Sequence, residues 1–185
     1  MLNRSQQVCL LNIARNTIEA YLHRKEILKW KVSDPELISC QGVFVSLHKG
    51  HQLRGCIGYI QPIEPLYEAV IKMAIAASTQ DWRFPPTTIQ ELKDITVEIT
   101  VLSELIPIQN ISQIEIGTHG VQLTIGSHSA VFLPQVAKEQ GWNMEELLQH
   151  LCRKAGLSDD DWKMPNASLF IFSGQVFSEG DVAAQ

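Results

Sequence analysis

The stretch GVFVSLHKGHQLRGCIGY, residues 42–59, decides the fold class because it predicts an antiparallel hairpin. Its first half alternates between apolar and polar positions, which is typical of a strand with one buried face. The apolar positions on that face are Val43, Val45 and Leu47. Residues 49–52 supply a turn, and residues 53–59 return as the partner strand. A hairpin pairs antiparallel strands, so this stretch favours antiparallel sheet over a doubly wound parallel fold.

Helix and strand patterns alternate along the rest of the chain. Apolar positions spaced as one face of a helix occur over residues 8–22, 66–77 and 144–155. Strand patterns occur over residues 95–105, as a second hairpin over 120–134, and as a single last strand over 168–180. Ser5 and Asn143 are predicted N-caps, with Glu146 completing a capping box. Together these patterns predict an α+β fold, with mainly antiparallel sheet built from hairpins and flanked by helices.

Composition limits the classes of function. The chain has 185 residues, enough for one domain or two small lobes, and a net charge of −5. The negative charge and the lack of a basic run argue against nucleic-acid binding, which needs clustered Lys and Arg. No apolar stretch reaches the roughly 18 residues of a membrane span. The four cysteines form no C-x-x-C pair, which predicts reduced thiols in a cytoplasmic protein.

The sequence predicts no cofactor and no metal site. It contains no G-x-S-x-G, P-loop, G-x-G-x-x-G or H-E-x-x-H motif. His48, His51 and His128 lie at or beside the predicted hairpin tips, where exposed turn histidines are favoured over metal ligands. Glu98 faces away from the apolar set of its strand, so it is either solvated or lines a cleft as a base.

The first candidate site is LRGCIG, residues 53–58. Strand alternation predicts that Arg54 and Cys56 share a face, where the arginine would lower the pKa of the thiol and make it a nucleophile. Gly55 and Gly58 would let a ligand approach the backbone closely. The alternative is that Cys56 is a small buried packing residue, as free cysteines often are.

The second candidate site is DWRFPP, residues 81–86, which is predicted to be a loop because of its two prolines. Arg83 could bind a carboxylate or phosphate through two hydrogen bonds. The alternative, favoured by the residues alone, is that Asp81 and Arg83 pair with each other and order their own loop.

Four segments together closely resemble one family in order and spacing. They are GVFVSLHKGHQLRGCIGYIQPIEPL (42–66), AIAASTQDWRFPPTTIQEL (74–92), ITVEITVLSELIPI (95–108) and FLPQVAKEQGWNMEELLQHLCRKAGL (132–157). The family is the AMME-syndrome chromosomal-region protein family, also called AmmeMemoRadiSam system protein A. The chain departs from the family pattern at Trp82, where a proline is usual, and at His119, where an aspartate is frequent.

The resemblance implies an α+β fold with a larger and a smaller lobe, and one two-lobed family domain over residues 1–185. It implies association with a Memo-like protein and a radical S-adenosylmethionine (SAM) protein. The signature hexapeptide of the family, proposed as a functional site, falls on Leu53, Arg54, Gly55, Cys56, Ile57 and Gly58. The cleft between the lobes is the expected location of the site.

Two functions follow as hypotheses. The favoured one is a ligand- or protein-binding component of a Memo and radical-SAM associated system, because no complete catalytic set is present in the sequence. Leu53, Gly55, Ile57, Gly58, Asp81 and Arg83 would then contact the ligand. The alternative is an enzyme in which Cys56 is the nucleophile and Arg54 binds an anionic small molecule.

Overall fold

The computed structural model describes residues 1–183 and divides the chain into two compact units. The first unit consists of Met1–Leu102 and the stretch from Gln175 onward. The second unit is Ser103–Gly174. Elements are numbered below along the whole chain.

The first unit contains a four-stranded sheet and the longest helices. Its helices are α1 (Arg4–Arg24), α2 (Pro35–Ile38), α3 (Leu66–Thr79) and α6 (Glu179–Ala183), with a 3-10 helix at Ile89–Asp94. The strands of its sheet are β1 (Val43–Lys49), β2 (Gln52–Tyr59), β3 (Ile95–Leu102) and β8 (Gly174–Ser178). The strand order is β2-β1-β3-β8, and β1 is antiparallel to both of its neighbours, so the first predicted hairpin is confirmed.

The core of the first unit lies on one face of this sheet. The apolar side chains of β1 and β3 pack there with apolar residues of α1 and α3. The fully buried members include Val43, Val45, Leu47, Val97 and Ile99. Helix α1 begins two residues earlier than predicted, because Asn3 rather than Ser5 is its N-cap and forms a capping box with Gln6.

The second unit contains the other sheet. Its elements are β4 (Ile106–Ile108), β5 (Gly120–Ile125), β6 (His128–Phe132), α4 (Pro134–Gln140), α5 (Met144–Lys154) and β7 (Ser168–Phe172). The strand order is β4-β7-β5-β6, with antiparallel pairing throughout. The predicted capping box at Asn143 and Glu146 starts α5, whose leucines fill the core. The predicted α+β class with antiparallel sheet is confirmed.

The prediction of one last strand over residues 168–180 is wrong. Its first half is β7 in the second sheet, and its second half is β8 in the first sheet, followed by α6. The change of sheet occurs at Ser173, whose backbone N–H donates to Ser103 Oγ at 3.0 Å. Both halves carry strand residues, so local pattern alone does not reveal that they pair with different sheets.

Among the residues that the structure describes, no helix has the length and apolar character needed to cross a bilayer.

Candidate functional site

Cys56 lies on β2, which is the edge strand of the first sheet. It is paired with Ser46 of β1, and Ser46 is paired in turn with Glu98 of β3. The register shifts next to Cys56, because Leu47 pairs with Gly55 whereas His48 pairs with Leu53. Arg54 is therefore the extra residue of a β-bulge, a feature that re-aims a side chain. The regular alternation from which a shared face of Arg54 and Cys56 was predicted is interrupted at this bulge.

Gly55 brings β2 against the end of α3. A Cβ built at Gly55 would overlap the carbonyl oxygen of Ala77, which belongs to the last turn of α3. Only glycine permits this approach of backbone to backbone. The chain leaves α3 just after Ala77, and Asp81 then lies beside Cys56, the residue that follows Gly55.

Asp81 and Arg83 bind both backbone polar groups of Cys56 at the free edge of β2. The Cys56 N–H donates to Asp81 Oδ2 at 2.8 Å, and Arg83 Nη2 donates to the Cys56 carbonyl oxygen at 3.1 Å. The two side chains also pair with each other, since Arg83 Nε and Nη2 donate to the Asp81 carboxylate at 2.9 and 2.7 Å. The loop thus satisfies the edge groups of β2 at Cys56 and orders itself at the same time.

Arg54 makes the reverse connection, from the strand to the loop. Its Nη1 and Nη2 donate to the carbonyl oxygens of Pro85 and Pro86 at 2.8 and 3.3 Å. Its Nε and Nη2 donate to the Glu91 carboxylate at 3.1 and 3.2 Å. The side chain is only 13% exposed. We call Arg54, Asp81, Arg83 and Glu91 the arginine clamp, because two arginines pointing in opposite directions fasten loop and strand together.

The clamp is charged at neutral pH. The hydrogen bond from Arg83 lowers the pKa of Asp81 from 3.8 to about 2. The hydrogen bond from Arg54 lowers the pKa of Glu91 from 4.5 to about 2. The pKa of Arg83 is raised, chiefly by its hydrogen bond to Asp81. Asp81 is almost fully buried, with 2% of its side chain exposed, whereas 44% of the Arg83 side chain is exposed.

The thiol of Cys56 lies on the face of the sheet opposite the apolar core. Ser46 Oγ donates to Cys56 Sγ at 3.2 Å. Two residues further along β1, His48 Nε2 lies 3.5 Å from Glu98 Oε1. We call this row of Cys56, Ser46, Glu98 and His48 the Cys56 face. It brings a thiol, a hydroxyl, a carboxylate and an imidazole onto one surface of three adjacent strands.

The other residues of the hexapeptide differ in what surrounds them. Ile57 packs against the apolar core. Gly58 lies opposite Phe44, and a Cβ at Gly58 would overlap the Phe44 ring. Leu53 is exposed. Cys56 is half-buried. Of the four side chains in the hexapeptide, those of Cys56 and Leu53 are the ones left to meet a ligand. The assignment of ligand-binding and catalytic roles within the motif stays a prediction.

The histidines divide into two groups. His51 at the first hairpin tip and His128 at the second are exposed, as predicted. His48 differs, because it is half-buried on β1 and its Nε2 has no well-aligned hydrogen-bond partner in the described part of the chain. Within residues 1–183, no group of three or more His, Cys, Asp or Glu residues is arranged to hold a metal ion.

Reasoning from the sequence missed Ser46 and Glu91. In the sequence, Ser46 is only a polar residue in an otherwise apolar strand. Its pairing with Cys56 depends on the bulge at Arg54, which shifts the register of β2 by one residue. Glu91 forms the capping box of the 3-10 helix with Thr88, a pattern that can be read from the sequence. Its contact with Arg54 joins residues far apart in the chain and has no local signal.

Comparison with known proteins identifies the family. The family model described as AMMECR1 matches residues 11–177, which is most of the chain. The chain belongs to the AMMECR1 family. The resemblance based on the LRGCIG and LPQVA segments is therefore confirmed, and the family match includes every residue of the arginine clamp and of the Cys56 face.

Archaeal relatives agree with this assignment over nearly the whole chain. Protein MK0488 of Methanopyrus kandleri is 40% identical over 179 residues, covering 92% of this chain and 86% of the relative. Protein MJ0810 of Methanocaldococcus jannaschii is 42% identical over 175 residues, covering 90% of this chain and 86% of the relative. The crystal structure of protein PH0010 from Pyrococcus horikoshii is similar with a TM-score of 0.82 and 37% identity, covering 92% of this chain and 90% of that one. The AMMECR1 family fold thus extends over both units described above.

Proposed function

We propose that this AMMECR1 family protein is a binding component of a Memo and radical-SAM associated system, and that it docks through the loop that clamps Cys56. The observation that carries the proposal is Trp82, whose side chain is 90% exposed. Trp82 lies between Asp81 and Arg83, so both of its neighbours are fastened to the backbone of Cys56. An exposed tryptophan on an anchored stretch of backbone is the kind of residue that often dominates protein interfaces.

The chemistry around Trp82 suits a protein surface that docks a partner. Pro85 and Pro86 on the same loop are exposed, as are Ile89 at the start of the following 3-10 helix and Leu53 on the adjacent strand. Arg54 links Leu53 to this loop through its bonds to both prolines. The family resemblance supports a Memo-like protein and a radical-SAM protein as the partners. The four cysteines are all free thiols, which fits the reducing cytoplasm. We also propose that both units belong to one family domain.

Substituting Trp82 tests this proposal. The wild-type protein is immobilised, and binding of a purified Memo-like protein and of a purified radical-SAM protein is measured by biolayer interferometry. We expect binding of at least one of them, and a loss of roughly 30-fold in affinity for Trp82→Ala, as for an interface anchor worth about 2 kcal/mol. The exposed residue Ile63 gives the matched control, and Ile63→Ala should stay within about threefold of wild type.

The proposal is contradicted if neither protein binds, or if Trp82→Ala binds as tightly as the wild type. The exposed ring of Trp82 makes no hydrogen bond to any residue from 1 to 183, so the substitution should leave the free energy of unfolding within about 0.5 kcal/mol of wild type. That measurement separates a lost contact from a lost fold.

An enzyme that uses Cys56 as a nucleophile is the second candidate function. The observation that favours it is the hydrogen bond from Ser46 Oγ to Cys56 Sγ, because a donor aimed at sulfur stabilises negative charge there. His48 and Glu98 supply ionisable groups on the same face. The anion-binding role predicted for Arg54 suits Arg83 better in this proposal. Arg54 donates to four acceptors of the protein, whereas Arg83 is more exposed and its Nη1 has no hydrogen-bond partner within residues 1–183.

A further inference from the structure

Gly58 presents two unpaired backbone groups at the free edge of β2. The register from Cys56 to Gly58 is regular, without a further bulge. In such a ladder, residues two apart point their N–H and C=O groups to the same side. Because the Cys56 groups point outward to the arginine clamp, the Gly58 N–H and C=O point outward as well. No hydrogen bond from residues 1–183 reaches them from outside the sheet.

The fold covers comparable groups elsewhere in this sheet with an acid–arginine pair. Where β8 ends, the Val97 N–H donates to Glu179 Oε2 at 2.8 Å. The Ile95 carbonyl oxygen accepts from Arg15 Nη2 at 2.7 Å, and Arg15 also pairs with Glu179. The acid and the arginine that hold Cys56 cover the edge of β2 in the same way. Proteins usually cover unpaired strand edges, so the open groups of Gly58 are available to another chain.

Arg83 adds a donor beside the Gly58 N–H. Its Nη2 binds the Cys56 carbonyl oxygen, which is the outward group directly before the Gly58 N–H along the edge. Its Nη1 has no hydrogen-bond partner within residues 1–183, and 44% of the side chain is exposed. Two neighbouring N–H donors, one of them on a guanidinium group, match the two oxygens of a carboxylate.

The direction of an added strand decides which end of a partner segment meets these donors. A segment that pairs with Gly58 cannot continue along the edge past Cys56, because the arginine clamp occupies the groups there. An antiparallel segment runs against the direction of β2 and reaches Arg83 with its carboxyl end. A parallel segment would bring its ammonium end to the guanidinium group, which is disfavoured by the like charge.

We propose that the partner docks with the carboxyl end of an extended segment, whose terminal carboxylate accepts from the Gly58 N–H and from Arg83 Nη1. This inference rests on the proposed function, since it names the chemistry of the partner that docks at the clamp. Asp81 balances the charge of Arg83, so recognition depends on the direction of the donors and not on long-range attraction. Strand addition and the capture of a terminal carboxylate are both general modes of peptide recognition.

Two peptides that differ only at the carboxyl end test the site. Each is an acetylated tetrapeptide of alternating threonine and valine, one a free acid and the other a primary amide. Each is titrated into ¹⁵N-labelled protein up to about 10 mM and followed by NMR. The Gly58 amide proton should move downfield saturably with the free acid. The amide should bind about tenfold more weakly, because its acceptor carries no charge. Gly50 at the hairpin tip is the control and should not shift.

Substitution of Arg83 separates this site from a general peptide-binding edge. Arg83→Gln should weaken the free acid about tenfold and change the amide by less than about threefold, since only the charged acceptor loses its partner. Arg153→Gln is the matched control. Arg153 also binds an aspartate through Nε and Nη2 and leaves Nη1 unpaired within residues 1–183, but it lies on α5. That substitution should change neither peptide.

The inference is overturned if the Gly58 signal responds to neither peptide, if acid and amide bind equally, or if Arg83→Gln weakens both by the same factor. It is also overturned if a peptide amide with glutamate in the last position binds as tightly as the free acid, because a side chain would then supply the carboxylate. These results leave the proposed function standing where Trp82→Ala lowers partner affinity. Selection of the free acid through Arg83, without binding of either partner protein, overturns the proposed function alone.

Discussion

Gly55→Ala is expected to lower the free energy of unfolding by about 3 kcal/mol, because the new methyl group would overlap the carbonyl oxygen of Ala77. Both atoms belong to regular elements, β2 and α3, so the strain cannot be relieved by rotating a side chain. Separating the two elements would also pull Asp81 away from the Cys56 N–H. Urea unfolding followed by circular dichroism measures the effect.

Gly180→Ala is the matched control for that substitution. Gly180 lies in α6, and among the described residues a Cβ there would meet only Ser178 Oγ, at an ordinary 3.6 Å. We expect a change of less than about 1 kcal/mol, in the stabilising direction, because alanine favours helix over glycine. The proposed close approach is refuted if Gly55→Ala and Gly180→Ala unfold at the same urea concentration.

Asp81→Asn is expected to cost about 2 kcal/mol at neutral pH, because it removes the charge of a buried carboxylate that pairs with the partly exposed Arg83. The carboxylate accepts from the Cys56 N–H and from the Arg83 backbone and guanidinium, whereas an amide has a single acceptor oxygen. Whichever way the amide turns, at least one donor then faces an NH₂ group. Asp159→Asn is the control. Asp159 forms an exposed pair with Arg153, so the same substitution there should leave the urea midpoint of unfolding close to that of the wild type.

The pH dependence of the Asp81→Asn effect follows from the lowered pKa of Asp81. A carboxyl with a pKa of about 2 in the folded protein, against an ordinary 3.8, stabilises the fold fully above pH 3.8. This contribution is lost as pH falls toward 2, where the folded wild type is protonated too. The difference in unfolding free energy between wild type and variant should thus be constant from pH 7 to about 5 and shrink toward pH 2. A difference that does not change with pH would mean that the ion pair contributes nothing.

Elements with one clean apolar face were predictable from the sequence. Strands β1 and β3 alternate because α1 and α3 cover only one side of their sheet, so every second residue must be apolar. Helix α5 was readable from its capping box and its leucine stripe. The division of residues 168–180 between two sheets was not, since the change at Ser173 depends on which strands lie nearby and not on local pattern.

The candidate site was predictable as a set of residues and not as an arrangement. Cys56, Arg54, Asp81 and Arg83 stand out as polar or reactive groups in two short motifs. Their arrangement depends on a bulge at Arg54 and on the contact between Gly55 and Ala77, both of which join segments distant in sequence. Strand alternation therefore predicted that Arg54 lies beside the Cys56 thiol. In the structure, Arg54 binds the loop that holds the backbone of Cys56.

Alkylation of the cysteines in the folded protein tests most directly whether the arginine clamp leaves the Cys56 thiol accessible and reactive. Iodoacetamide is added to the folded protein, and the rate at each cysteine is read by peptide mass spectrometry. Cys40 is exposed and Cys152 is buried, so they mark the fast and slow limits.

In the folded state, we expect the labelling rate of Cys56 to be within about tenfold of that of Cys40 and far higher than that of Cys152. Ser46→Ala should lower the rate at Cys56 alone, because it removes the hydrogen-bond donor to the sulfur. Protection of Cys56 until the protein unfolds, at the rate of Cys152, would contradict this and make Cys56 a packing residue.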